Sequence, residues 1–193
     1  MKKIYFVTSN KRKVIDYNRR LALLGYKVLQ LNNDLNEGRS LDIEEIAKLK
    51  LGQAREVSSG RPVFVEDRGF FIPAFQGFPG PFVKLFLKSI GISGLMKLMQ
   101  DIEDRRAQFI SVLAYWDGKQ EHYFYDNEEG FLTKNIRSGD IRGWTDILYI
   151  YGYKTHPKKA LCELNDTEWN EYLKEIEKND YIKKFCDFLS KNS

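Results

Sequence analysis

The sequence predicts an α/β fold, and three observations carry that prediction. Up to Val65, short apolar runs of strand length alternate with stretches of helical periodicity. The third such run, Val63-Phe64-Val65, is unbroken, as expected of a strand covered on both faces. Further on, Asp117-Gly118 separates two strand-like runs, Arg106 to Trp116 and Gln120 to Tyr125, which adds an antiparallel ribbon and makes the sheet mixed.

Each element has a local reason. Ile4-Tyr5-Phe6-Val7 reads as the first strand, stopped by the polar turn Thr8-Ser9-Asn10. Val14, Tyr17, Leu21 and Leu24 then recur at helical spacing. Tyr26 to Leu31 predicts a second strand. After the polar stretch Asn32 to Ser40, a helix is expected with Ile46, Leu49, Gln53/Ala54 and Val57 as its apolar stripe, ended by Gly60 and Pro62. The start therefore reads β-α-β-α-β. Gly77-Phe78-Pro79-Gly80-Pro81 is a turn-rich loop before helical spacing through Leu85 to Leu98. Trp169, Tyr172, Ile176, Phe185 and Leu189 predict one or two terminal helices, with Asn179-Asp180 as a break and new cap. No repeat, linker or low-complexity stretch divides residues 1–193, so a single domain is expected.

Composition narrows the chemistry. Hydrophobic residues make up 42% of the 193, enough to build a core. No apolar run approaches membrane-spanning length and the first residues do not read as a signal peptide, so a cytoplasmic protein with no membrane partner is expected. Cys162 and Cys186 lack both the density of a disulfide scaffold and CxxC spacing, and are expected as free thiols. With only His122 and His156, a three-histidine metal cage is excluded; any catalysis falls to carboxylates and lysines, with or without a metal. His122 reads as an exposed strand residue. A net charge of +4, without a groove-reading motif, does not point to nucleic acid, whereas a small phosphate-bearing ligand fits it.

Two segments concentrate that chemistry. Thr8-Ser9-Asn10-Lys11-Arg12-Lys13 lies where the first strand hands over to the first helix, so helix amides and three cations favour an anion there. The plain alternative is a capped helix with solvated lysines. Glu66-Asp67-Arg68-Gly69 ends the most buried strand, at the edge where open α/β sheets place ligands. Alternation sends Glu66 and Asp67 to opposite sides. Carboxylates at such an edge suit Mg²⁺, and Glu37, Glu44 and Glu45 are further candidate ligands. Lys84 is a candidate phosphate contact. Trp144 and Asp146 are candidates to hold a base by stacking and hydrogen bonding.

Taken together, Thr8-Ser9-Asn10 with Lys13, then Glu45-Ile46-Ala47, Val63-Phe64-Val65-Glu66-Asp67, and Ala74-Phe75-Gln76-Gly77-Phe78-Pro79-Gly80-Pro81-Phe82-Val83-Lys84 resemble the inosine/xanthosine triphosphate pyrophosphatase family. Weaker matches are Gly143-Trp144-Thr145-Asp146 and Leu161-Cys162-Glu163-Leu164. The resemblance implies an elongated mixed β-sheet with flanking helices, two lobes around a nucleotide cleft, and a homodimer. It implies Mg²⁺-dependent hydrolysis of an aberrant purine or modified nucleoside triphosphate to the monophosphate and pyrophosphate. Thr8, Ser9, Asn10, Lys13, Arg68 and Lys84 would hold phosphate, and Trp144 and Asp146 the base. Glu45, Glu37, Glu66 and Asp67 would hold the metal, with Asp67 and Lys13 catalytic.

The departures from the family pattern are local. Arg68 stands where the family has a small residue, and either clamps phosphate or obstructs the pocket. Trp169 and Leu173-Lys174-Glu175 stand where the family has a lysine and a Ser-His-Arg motif, and Gly143-Trp144-Thr145-Asp146 is one residue short. The phosphate half of the family's pattern is kept and the base-reading half is not. Altered base preference is expected, and a nucleotide-binding or sensor protein of the same fold that has lost hydrolysis is the alternative.

Overall fold

The computed structural model describes residues 1–36, 38–140, 142–143 and 145–192. Strand β1 (Lys2–Val7) turns through Thr8-Ser9-Asn10 into helix α1 (Lys11–Leu21). The chain returns through a 3₁₀ turn, Ala22–Leu24, and a left-handed Gly25 (φ 77°), a conformation that glycine adopts without steric cost. Strand β2 (Tyr26–Leu31) then pairs with β1 in parallel, from Lys2 opposite Tyr26 to Val7 opposite Leu31. Helix α2 (Ile43–Val57), capped by Asp42, leads to strand β3 (Val63–Phe71), which pairs with the other side of β1 in parallel: Tyr5 opposite Val63, Phe6 opposite Phe64.

That order fixes where a ligand can sit. The step from β1 to β2 goes one way along the sheet and the step from β2 to β3 comes back past β1. Because parallel crossovers are right-handed, α1 and α2 cover opposite faces. The carboxyl end of β1 is therefore the point where strand order reverses, the usual crevice for ligands in open α/β sheets.

The remaining strands are β4 (Pro79–Gly80), β5 (Arg106–Trp116), β6 (Glu121–Leu132) and β7 (Tyr151–Tyr153). They complete a seven-stranded mixed sheet in the order β2-β1-β3-β5-β6-β7, with β4 antiparallel to β3 and β7 antiparallel to β6. The turn between β5 and β6 is closed by the Asp117 N–H donating to the Gln120 carbonyl at 3.2 Å, so its central pair is Gly118-Lys119, one place on from the Asp117-Gly118 that the sequence suggests, with Gly118 (φ 105°) at the first central position. Helices α3 (Val83–Leu98), α4 (Asp166–Glu177) and α5 (Tyr181–Lys191) follow the loops. The break at Asn179-Asp180 falls where expected, and Asp180 caps α5. None of the helices, among the described residues, is long and apolar enough to cross a membrane.

The chain divides into two compact units, one of Met1–Arg68, Ser111–Asp126 and Asn179–Ser193, the other of Gly69–Ile110 and Asn127–Lys178. In the first, Ile4, Phe6, Tyr17, Leu21, Val28 and Phe64 pack against Tyr181, Phe185 and Leu189 of α5. In the second, Phe70, Phe109, Leu132, Tyr151 and Tyr172 belong to a separate core.

Three further details differ from the sequence reading. The buried face of α2 is Ile43, Ile46, Ala47, Lys50, Leu51 and Ala54, and Leu49 is exposed, so the stripe is rotated from the one expected. Strand β6 runs to Leu132, well past Tyr125. His122 is not an exposed strand residue: its ring lies 4.3 Å from Phe188 and its Nε2 is 2.8 Å from Asp117 Oδ2. Both cysteines are free thiols, and both are buried.

Candidate functional site

The β1–α1 turn is held by its own side chains. Thr8 Oγ1 accepts from the Asn10 N–H at 3.1 Å, and Asn10 Oδ1 accepts from the Arg12 N–H at 2.9 Å and the Lys13 N–H at 3.4 Å. Asn10 is thus the helix cap, and its side chain meets amides of the first turn. The Thr8 N–H donates to Leu31 O and Gln30 Nε2 donates to Thr8 O, which ties the turn to β2. Ser9 is exposed at the tip.

Glu66 and Asp67 leave β3 on opposite sides, as alternation requires, and each meets a lysine from the helix on its own face. Lys13 Nζ of α1 lies 2.9 Å from Glu66 Oε1, and Tyr17 Oη donates to Glu66 Oε2 at 2.8 Å. The Glu66 side chain is 4% exposed. Burial pushes its pKa up, but the Lys13 charge and hydrogen bonds from Lys13, Tyr17 and Tyr181 outweigh that, leaving it below the ordinary carboxylate value. Burial, and then the Glu66 charge, hold the Tyr17 and Tyr181 hydroxyls well above the usual phenol value, so both stay protonated as donors.

On the other face, Lys50 Nζ of α2 donates to Asp67 Oδ2 at 2.7 Å, with 11% and 16% of the two side chains exposed. Asp67 Oδ1 accepts from the Arg68 N–H at 3.0 Å. Lys50 is a residue the sequence reading missed. Its signal was present: it lies four residues after Ile46 and seven after Ile43, so a lysine falls on the buried stripe, where an unpaired ammonium is rarely tolerated.

The other candidates fall as follows. Glu45, in the first turn of α2, is exposed and accepts from Ser40 Oγ at 2.6 Å. Glu44 pairs instead with Lys48, four residues on, at 2.5 Å. Arg68 is half-buried on β3, and its charge faces the Tyr181 hydroxyl. Lys84, exposed in the first turn of α3, and Asp146, exposed at the start of the 3₁₀ turn Asp146–Tyr149, belong to the second unit. Glu37 and Trp144 lie outside the described residues. Among the described residues, no cluster of three or more His, Cys, Asp or Glu side chains is poised to hold a metal. The arrangement in the first unit is therefore two lysine–carboxylate pairs on successive residues of one strand, beside a capped helix N-terminus. Such a set can meet a polyanion with ammonium groups and offer a carboxylate to a nearby proton.

Residues 4–175 match a model of the Ham1 family. The chain is 36% identical over 166 residues, 86% of each chain, to the dITP/XTP pyrophosphatase of Ignicoccus hospitalis. It is 35% identical over 190 residues, 98% of each chain, to the dITP/XTP pyrophosphatase of Pyrococcus horikoshii. Its fold is similar to that of the Staphylococcus aureus Ham1 protein, with a TM-score of 0.80 at 20% identity, covering 100% of both chains.

Proposed function

This chain belongs to the Ham1 family, and from that membership we propose that it is a nucleoside triphosphate pyrophosphatase, a hydrolase that converts a nucleoside triphosphate to the monophosphate and pyrophosphate. The observation that carries the reading is the pairing of Lys13 with Glu66 and of Lys50 with Asp67 at the reversal point of the sheet. The names of the curated relatives favour an aberrant purine nucleotide as substrate.

In this reading the β1–α1 turn takes the triphosphate. Lys13 and the positive end of the α1 dipole offer charge to the phosphate oxygens, with Thr8 and Asn10 holding the turn in shape. Asp67 orients the attacking water and takes its proton. The new bond joins the water oxygen to the α-phosphorus, the bond from that phosphorus to the bridging oxygen breaks, and pyrophosphate leaves with the bonding electrons. Lys50 keeps Asp67 charged and aimed.

The donor set fits Mg²⁺, which needs only one or two carboxylates beside substrate phosphates and water, not a cage of acidic residues. Glu45 and Asp67 are the carboxylates that would hold it, and when bound it neutralises charge on the phosphate oxygens. Glu66, 4% exposed against 16% for Asp67, sits deeper between Lys13 and Tyr17, so its part is support of Lys13.

Pyrophosphate release from a nucleotide panel including inosine, xanthosine, guanosine and pyrimidine triphosphates, with Mg²⁺ present, tests the reading. Turnover of at least one member is expected; the relatives' names point to the inosine or xanthosine forms, and Trp169 and Leu173-Lys174-Glu175 to a changed order of preference across the panel. A folded protein that turns over none of the panel overturns it.

A further inference from the structure

Two buried phenols in the first unit carry hydroxyls that the proposed chemistry does not use. Tyr17 is 1% exposed, with its ring 5.0 Å from Phe6 and 4.8 Å from Phe64; Tyr181, at the start of α5, is 8% exposed in the same core. Phenylalanine would fill either space with the same apolar area, so the hydroxyls need a separate account. The Tyr17 hydroxyl has its partner in Glu66 Oε2 at 2.8 Å, while Lys13 takes Oε1 at 2.9 Å. Lys13 and Tyr17 are four residues apart on α1, which sets them on one helix face, one turn apart.

We infer that Tyr17 is a positioning residue for the substrate-binding lysine: by occupying Oε2 of Glu66 it confines the Lys13 ammonium to Oε1 and leaves its other protons for the phosphate oxygens. The inference rests on the reading of Lys13 as a phosphate ligand. An ammonium has three donors, and a carboxylate with both oxygens open draws it into a forked contact that competes with any incoming anion. A phenol on one oxygen removes half of that competition while the counter-charge stays in place. Tyr181 faces the same carboxylate from α5, so the last helix contributes to the same restraint.

The test compares wild type, Tyr17→Phe, Lys13→Met and the double variant. The measurements are calorimetric affinity for an α,β-methylene inosine triphosphate and steady-state kinetics with inosine triphosphate. Tyr17→Phe is expected to raise both the dissociation constant and KM about threefold to tenfold, the size of one hydrogen bond, with kcat within about twofold. In the Lys13→Met background the same change is expected to do nothing. Tyr181→Phe, acting on the same carboxylate, is expected to move KM in the same direction, so the inference does not hang on one variant folding. An effect of Tyr17→Phe that is equal in both backgrounds, or absent from the wild type while Lys13→Met weakens binding, overturns the positioning role. Unchanged affinity in Lys13→Met instead removes Lys13 as a phosphate ligand, and the inference with it.

Discussion

Lys50 and Asp67 meet at 2.7 Å although one comes from the buried face of α2 and the other from the end of β3. The pair does two jobs. It compensates two charges that the fold has largely removed from water, and it holds the carboxylate assigned to the attacking water. Lys50→Met is therefore expected to cost stability as well as activity. It strands Asp67, a loss of about 3 kcal/mol, and lowers kcat in the fraction that remains folded. Urea denaturation followed by kinetics on the folded protein checks both; a substitution that leaves stability and kcat untouched contradicts the assignment.

Asp67→Asn separates binding from chemistry. The amide keeps the shape and an acceptor for Lys50 but cannot take a proton from water. Turnover is expected to vanish while nucleotide affinity stays within about tenfold of wild type. Single-turnover assays and calorimetry at matched concentration decide it. Equal rates for the two proteins would show that the proton goes elsewhere.

What the sequence disclosed, and what it hid, follows from the range of the interactions involved. Strand alternation sufficed to send Glu66 and Asp67 to opposite faces, and the Asn10 cap, the β5–β6 hairpin (to within one residue of its centre) and the break before α5 were legible because each is decided within a few residues. The partners of the carboxylates were not, since Tyr17 and Glu66 lie 49 residues apart and Lys50 and Asp67 lie 17 apart. The extent of β6 was missed for the same reason. Asp126-Asn127-Glu128-Glu129 reads as the end of a strand, yet Glu128 is buried and its Oε1 accepts from the Tyr172 hydroxyl, 44 residues on, at 2.8 Å. A long-range donor makes a buried acid tolerable at a position where local pattern argues for solvent.

Asp180 joins α1 to α5. Its Oδ1 accepts from the Lys183 N–H at 2.6 Å as the cap of α5, and both carboxylate oxygens receive the Arg20 guanidinium, at 2.5 and 2.7 Å. The pair is about nine-tenths buried on both sides. Asp180→Ala removes the cap and strands Arg20, with an expected loss of about 3 to 5 kcal/mol. Asp180→Asn keeps the cap but loses the charge, and is expected to cost less. Thermal unfolding of the two variants checks the order, and equal losses would mean that the cap contributes nothing beyond the ion pair with Arg20.

The β5–β6 turn supplies an acid-sensitive element away from the candidate site. Asp117 accepts from the Lys119 N–H at 2.7 Å and the Gln120 N–H at 2.9 Å through Oδ1, and meets His122 Nε2 through Oδ2. Burial raises its pKa, but the Gln120 amide, His122 and the Lys119 amide hold it down to about 2, against an ordinary 3.8. The sign follows from linkage. A carboxyl whose folded pKa is depressed stabilises the fold fully above the unfolded value and loses that contribution as pH falls through the folded one. Between pH 4 and pH 2 the wild type is therefore expected to lose more melting temperature than Asp117→Asn, which cannot titrate, whereas above pH 5 the asparagine variant is the less stable of the two. Melting curves taken across that range decide the matter: parallel losses in the two proteins would show that the turn carboxylate contributes nothing to acid unfolding.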